Sequence, residues 1–68
     1  MIDAKTRLLG VIGHPIRHSL SPAMHNAVFK ETGLNYVYLA FDVAPENLSS
    51  VIECSRALGI AGLNVTIP

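Results

Sequence analysis

Arg7-Leu8-Leu9-Gly10-Val11-Ile12-Gly13-His14-Pro15-Ile16-Arg17-His18-Ser19-Leu20-Ser21-Pro22 is the stretch that decides the fold. Arg7–Ile12 is a short apolar run stopped by Gly13, long enough for a strand and too short for a helix. From Gly13 to Leu20 no period is kept and a proline intervenes, which predicts a loop. Ser21-Pro22 then announces a helix. The serine hydroxyl is a suitable N-cap, and Pro at the first helical position lacks only an N–H that would be unpaired there anyway.

Working outward, the same alternation repeats. Met24, Ala27 and Val28 fit one face of the first helix, and Gly33 is a good stop. Asn35–Val43, rich in Tyr, Val and Phe, predicts a second strand covered on both faces. Pro45 opens a second helix whose stripe is Leu48, Val51, Ile52, Ser55 and Leu58, with Ser55 its polar member, and Gly59 closes it. Ile60–Ile67, interrupted by Gly62, predicts a third strand. A βαβαβ segment of this kind belongs to the α/β class, with a mainly parallel sheet joined by right-handed crossovers. Ligands of such sheets bind beyond the carboxyl ends of the strands. The loop His14–Ser21 and the end of the third strand, Asn64–Pro68, should therefore share one edge.

Composition narrows the class. The 68 residues are 50% apolar and only 15% charged. A chain of that length makes one small domain and buries only about 60% of its unfolded surface. This is too apolar for disorder and sparsely charged for a free-standing mini-domain, so an incomplete domain is expected. Net charge is zero and the basic residues are scattered, which argues against nucleic acid or an anionic membrane as partner. One cysteine, Cys54, excludes an internal disulfide and suits a reducing compartment. No secretory signal stands out, and no run approaches the roughly 18 apolar residues of a membrane helix. A soluble cytoplasmic protein is the expectation.

Two polar clusters fall where an α/β site would lie. Ser19-Leu20-Ser21 offers two hydroxyls one residue apart at a helix start, where backbone N–H groups and the helix dipole favour a carboxylate or phosphate. Ser21 alone is better explained as a helix cap; the pair at a helix start brings an anion site level with that reading. Asn64 and Thr66 share one face of a strand, because side chains alternate with period two. They suit hydrogen bonding to a hydroxylated ligand, or else a satisfied strand terminus. His14, His18 and His25 do not make a metal site: the first two stand in a Pro-containing loop, and no Cys or carboxylate completes a set. His25, on the first helix, is expected to be a structural hydrogen-bonding group. Gly10-Val11-Ile12-Gly13 is not a dinucleotide fingerprint. Cys54 on the second helix has no visible activating partner and reads as packing.

Taken together, Gly10–Asn26 resembles the signature opening of shikimate dehydrogenases, and Gly62-Leu63-Asn64-Val65-Thr66-Ile67-Pro68 resembles the second hallmark of that family. The resemblance runs from about Thr6 to Pro68. It implies that residues 1–68 are part of an N-terminal substrate-binding domain, with the NADP-binding Rossmann domain absent from this chain. Ser19 and Ser21 would bind the substrate carboxylate with Leu20 between them, Thr66 would touch the shikimate hydroxyls, and Asn64 would support that site. The implied reaction is NADP-dependent, reversible reduction of 3-dehydroshikimate to shikimate, on the route to chorismate and the aromatic amino acids. No catalytic residue is expected here, since the acid–base Lys would follow Pro68 by two positions. The segment would then supply substrate binding and be inactive alone. The resemblance leaves room for a homodimer of the full-length enzyme. The competing reading is a non-catalytic shikimate- or quinate-binding regulatory relative, or a folding or assembly fragment.

Overall fold

Three apolar strands and two helices appear in the predicted order, with every boundary close to its sequence signal. The computed structural model describes residues 1–66. The elements are β1 (Arg7–Gly13), α1 (Ser21–Thr32), β2 (Tyr36–Asp42), a short 3-10 turn (Pro45–Asn47), α2 (Leu48–Leu58) and β3 (Gly62–Val65). β1 takes in Gly13, and β2 is trimmed at both ends. Pro45 opens the 3-10 turn, so α2 begins only at Leu48. β3 begins at Gly62, two residues later than expected, and the expectation for Ile67 and Pro68 lies outside the described residues. Gly33 and Gly59 end the helices as predicted, at φ of 71° and 70°, a left-handed turn that costs a residue without a side chain little.

The sheet has the order β2-β1-β3 and is parallel throughout. Gly13 pairs with Asp42 and Ile12 with Val65, so all three strands end at one edge. The alternation of side chains then sorts the residues into two faces. Leu9, Val11, Tyr38, Ala40 and Asn64 share the face covered by α1; Leu39, Phe41 and Leu63 belong to the other, which α2 overlies. The core is small: Val11, Ile16 and Tyr38 pack together with Leu9, Phe29 and Ala40 against them, and Ile12 is buried separately.

The helix faces correct the sequence reading. Met24 and Val28 are exposed, and it is Asn26 and Phe29 that turn inward in α1. The apolar pattern was ambiguous because Phe29 and a polar Asn26 occupy the packing face, and a polar residue on that face hides it. On α2, Leu48, Val51 and Ser55 are half-buried, whereas Ile52 and Leu58 are exposed. Nor is β2 covered on both faces, since Leu39 remains 44% exposed on the α2 side. Among the described residues no helix is long and apolar enough to cross a membrane.

Candidate functional site

The loop from β1 to α1 is held at both ends of its path. Ile16 is buried in the core, and the Ser19 N–H donates to the Ile16 carbonyl at 3.0 Å. Near its start, His14 Nδ1 meets Asp42 Oδ1 at 2.6 Å, joining the end of β1 to the end of β2. The His14 hydrogen bond, then the charges of His14 and Arg17 and the Ile16 amide, hold the Asp42 carboxyl below its ordinary value against the opposing effect of desolvation. An ionised carboxylate only accepts, so His14 Nδ1 is the donor. A carboxylate does meet His14, then, but as a brace for the loop. Among the described residues no three groups of the metal-binding types converge.

At the helix start the two serines exchange roles. Leu20, not Ser21, is the N-cap residue; its carbonyl accepts from the Met24 N–H at 3.1 Å, and no side chain caps by the usual hydrogen bond. Ser21 is the first helical residue and Pro22 the second. Ser19 Oγ accepts the Ser21 N–H at 3.2 Å, satisfying one of the unpaired amides at the helix N-terminus. Ser19 therefore has a local structural role that sequence reading gave to Ser21. Accepting there leaves the Ser19 O–H proton free to donate elsewhere, and the Ser21 hydroxyl makes no side-chain hydrogen bond among the described residues. The Leu20 side chain is exposed.

The end of β3 sits beside the start of this loop. The Thr66 N–H donates to the Ile12 carbonyl at 2.8 Å, and Thr66 Oγ1 lies 3.3 Å from the same oxygen. Gly13 makes that approach available. A Cβ at position 13 would stand 2.6 Å from Thr66 Oγ1 and 2.9 Å from Ile16 Cδ1, closer than real contacts allow. Asn64, two residues back on the same face, reaches the Tyr38 hydroxyl with Nδ2 at 3.4 Å. So the topology places Ser19 and Ser21, at the start of α1, and Asn64 and Thr66, at the end of β3, along the same carboxyl edge of the sheet. His14, Arg17 and His18 make the adjoining loop rich in basic groups.

Several residues that matter here carry no sequence motif. Asn26 donates to the Tyr38 carbonyl and accepts from the Tyr38 N–H, both at 2.8 Å, filling the side of β2 that faces away from β1. Among the described residues His25 makes no side-chain hydrogen bond, contrary to expectation; its ring stacks on Tyr38 at 4.2 Å and 18°. Such pairings join residues 12 or 13 apart through the fold, and only the helix spacing of Asn26 relative to Phe29 hints at them. Cys54 is exposed on α2, so it is not packing in a core. Two concavities, of about 540 Å³ beside Phe29 and Leu34 and about 460 Å³ between α2 and Phe41 and Leu63, include none of the four polar site residues. The site is an open, half-built surface. It does not suit a dinucleotide: residues 14–20 separate β1 from α1, with Ile16 tucked into the core, where a tight glycine turn would be needed.

Comparisons with known proteins point to one family. The family described as the shikimate dehydrogenase substrate binding domain matches residues 11–68. The shikimate dehydrogenase (NADP(+)) of Methanocaldococcus jannaschii is 68% identical over the whole chain, which spans 24% of that relative. A crystal structure of a shikimate dehydrogenase in complex with NADP+ superposes with a TM-score of 0.95 at 68% identity, over 100% of this chain and 24% of that one. Shikimate 5-dehydrogenase from Listeria monocytogenes, solved with shikimate and NAD, gives 0.93 at 51% identity over 98% of this chain and 23% of its own. The chain thus spans about a quarter of the length of these relatives.

Proposed function

The chain belongs to the family of shikimate dehydrogenase substrate-binding domains, and from that premise we propose that it forms the substrate side of an NADP-dependent shikimate dehydrogenase. The enzyme would interconvert 3-dehydroshikimate and shikimate in the cytoplasm, and this segment would hold and orient the ring. What supports the reading is the placement of Ser19 and Ser21, at the start of α1, and of Asn64 and Thr66, at the end of β3, along one edge of the sheet. Two free hydroxyl protons at a helix N-terminus match the two oxygens of a carboxylate, with the helix dipole and the basic loop favouring its charge. Asn64 and Thr66 supply mixed donors and acceptors for ring hydroxyls. Proton and hydride transfer fall to groups outside these residues, and the segment contributes position and charge.

Transplanting residues 1–68 into the archaeal relative 68% identical to it provides the test. The chimera should oxidise shikimate with NADP+. Each hydrogen bond to a charged group contributes about 1.5–3 kcal/mol, so Ser21→Ala should lower kcat/KM for shikimate by roughly 10- to 150-fold. The KM for NADP+ should be unchanged. Ser21 is the cleaner probe, because Ser19→Ala also removes the acceptor of the Ser21 N–H and should cost about 1 kcal/mol of stability as well. Unaltered kcat/KM in both variants would show that neither hydroxyl holds the substrate.

A further inference from the structure

Tyr38 stands apart from the other aromatic residues in how completely it is immobilised. It is 4% exposed, its ring is stacked on His25, and both its main-chain polar groups are taken by the Asn26 amide. Two neighbouring residues of α1 thereby hold its ring and its backbone. Its side chain crosses over β1, packing on Val11, so that its hydroxyl reaches Asn64 on β3. A Tyr needed only to fill the core would be served as well by Phe, which carries no polar atom to satisfy.

Resting on the site reading above, we propose that Tyr38 is a positioning residue of the substrate site, acting through Asn64. A terminal amide rotates easily about its last bond and can present either its oxygen or its nitrogen. The Tyr38 hydroxyl accepts Nδ2–H of Asn64, which leaves Asn64 Oδ1 as an acceptor for a ring hydroxyl of the ligand. At 3.4 Å this contact orients more than it binds. The polar network Asn26–Tyr38–Asn64 therefore transmits the rigidity of α1 and β2 to a group on the far strand.

The experiment is a double-mutant cycle in the same full-length chimera, using Tyr38→Phe and Asn64→Ala with shikimate as the varied substrate. Tyr38→Phe keeps the stack and the burial and removes only the hydroxyl. It should lower kcat/KM for shikimate roughly 2- to 10-fold, leave the KM for NADP+ and the denaturation midpoint in place, and have no further effect in the Asn64→Ala background. Equal effects in both backgrounds would overturn the inference, because Tyr38 would then act independently of Asn64. Normal kcat/KM in Tyr38→Phe, with or without a lower midpoint, would overturn it while the site reading stands on the Asn64→Ala loss. If Asn64→Ala itself changes nothing, Asn64 is no part of the site and the inference falls with it.

Discussion

The two faces of the sheet are built to different standards. Under α1, Tyr38 is buried, its backbone clamped by Asn26 and its ring stacked on His25, and Phe29 meets the Tyr36 ring edge-on at 5.4 Å. Under α2 there is a groove of about 460 Å³ lined by Val51, Leu58, Phe41 and Leu63, and among the described residues no stacked ring or side-chain hydrogen bond crosses it. A parallel sheet needs cover on both faces to keep apolar surface from water. The comparison shows that order in this segment is concentrated where the polar site residues attach. α1 brings the Ser19–Ser21 turn, and the α1 face carries Asn64 and Thr66. Directional contacts, hydrogen bonds and stacked rings, set geometry there, whereas the α2 face relies on loose apolar contact that sets distance poorly.

Breaking the clamp should give the largest effect. Asn26→Ala leaves the Tyr38 N–H and carbonyl without their partner, and each such loss costs about 1–3 kcal/mol where water cannot replace it. The chimera should lose roughly 2–4 kcal/mol in urea denaturation, a sum of two such losses moderated by the open side of β2. Asn26→Asp, which retains an acceptor for the Tyr38 N–H, should recover part of it. A loss below about 0.5 kcal/mol, the range of ordinary surface substitutions, would mean the two faces are equally loose.

Gly13→Ala tests the edge where the site gathers. The added methyl overlaps Thr66 Oγ1 and Ile16 Cδ1, so something must move. Overpacking of this kind costs about 1–3 kcal/mol. Because Thr66 is one of the displaced groups, kcat/KM for shikimate should fall together with stability. Wild-type kinetics in a destabilised variant would separate Thr66 from the ligand.

The smallest effect is expected on the opposite face. Leu58 is 76% exposed at the end of α2, and Leu58→Ala should change stability by no more than about 0.5 kcal/mol in the isolated chain. The same substitution in the full-length chimera sharpens the comparison. A cost there of about 2 kcal/mol or more, as for truncating a buried leucine, would show that further chain covers α2 and completes its face.

Local chemistry determined much of this protein. The βαβαβ order was legible because apolar runs, helix-compatible stripes and the glycines at 33 and 59 act within a few residues of one another. The candidate polar residues were legible as pairs at a strand end and a helix start: Ser19 with Ser21, Asn64 with Thr66. Tertiary structure alone decided which helix face turns inward, since Asn26 outcompetes the apolar Met24 and Val28 by answering the unpaired backbone of β2. It also moved the helix-start hydrogen bond from Ser21 to Ser19, a shift of register that depends on how the loop is pinned by Ile16 and by the His14–Asp42 pair. Contacts such as Tyr38 with Asn64 join residues 26 apart in the chain. Their energy depends on the distance between strands across the sheet, and no spacing along the sequence records that distance.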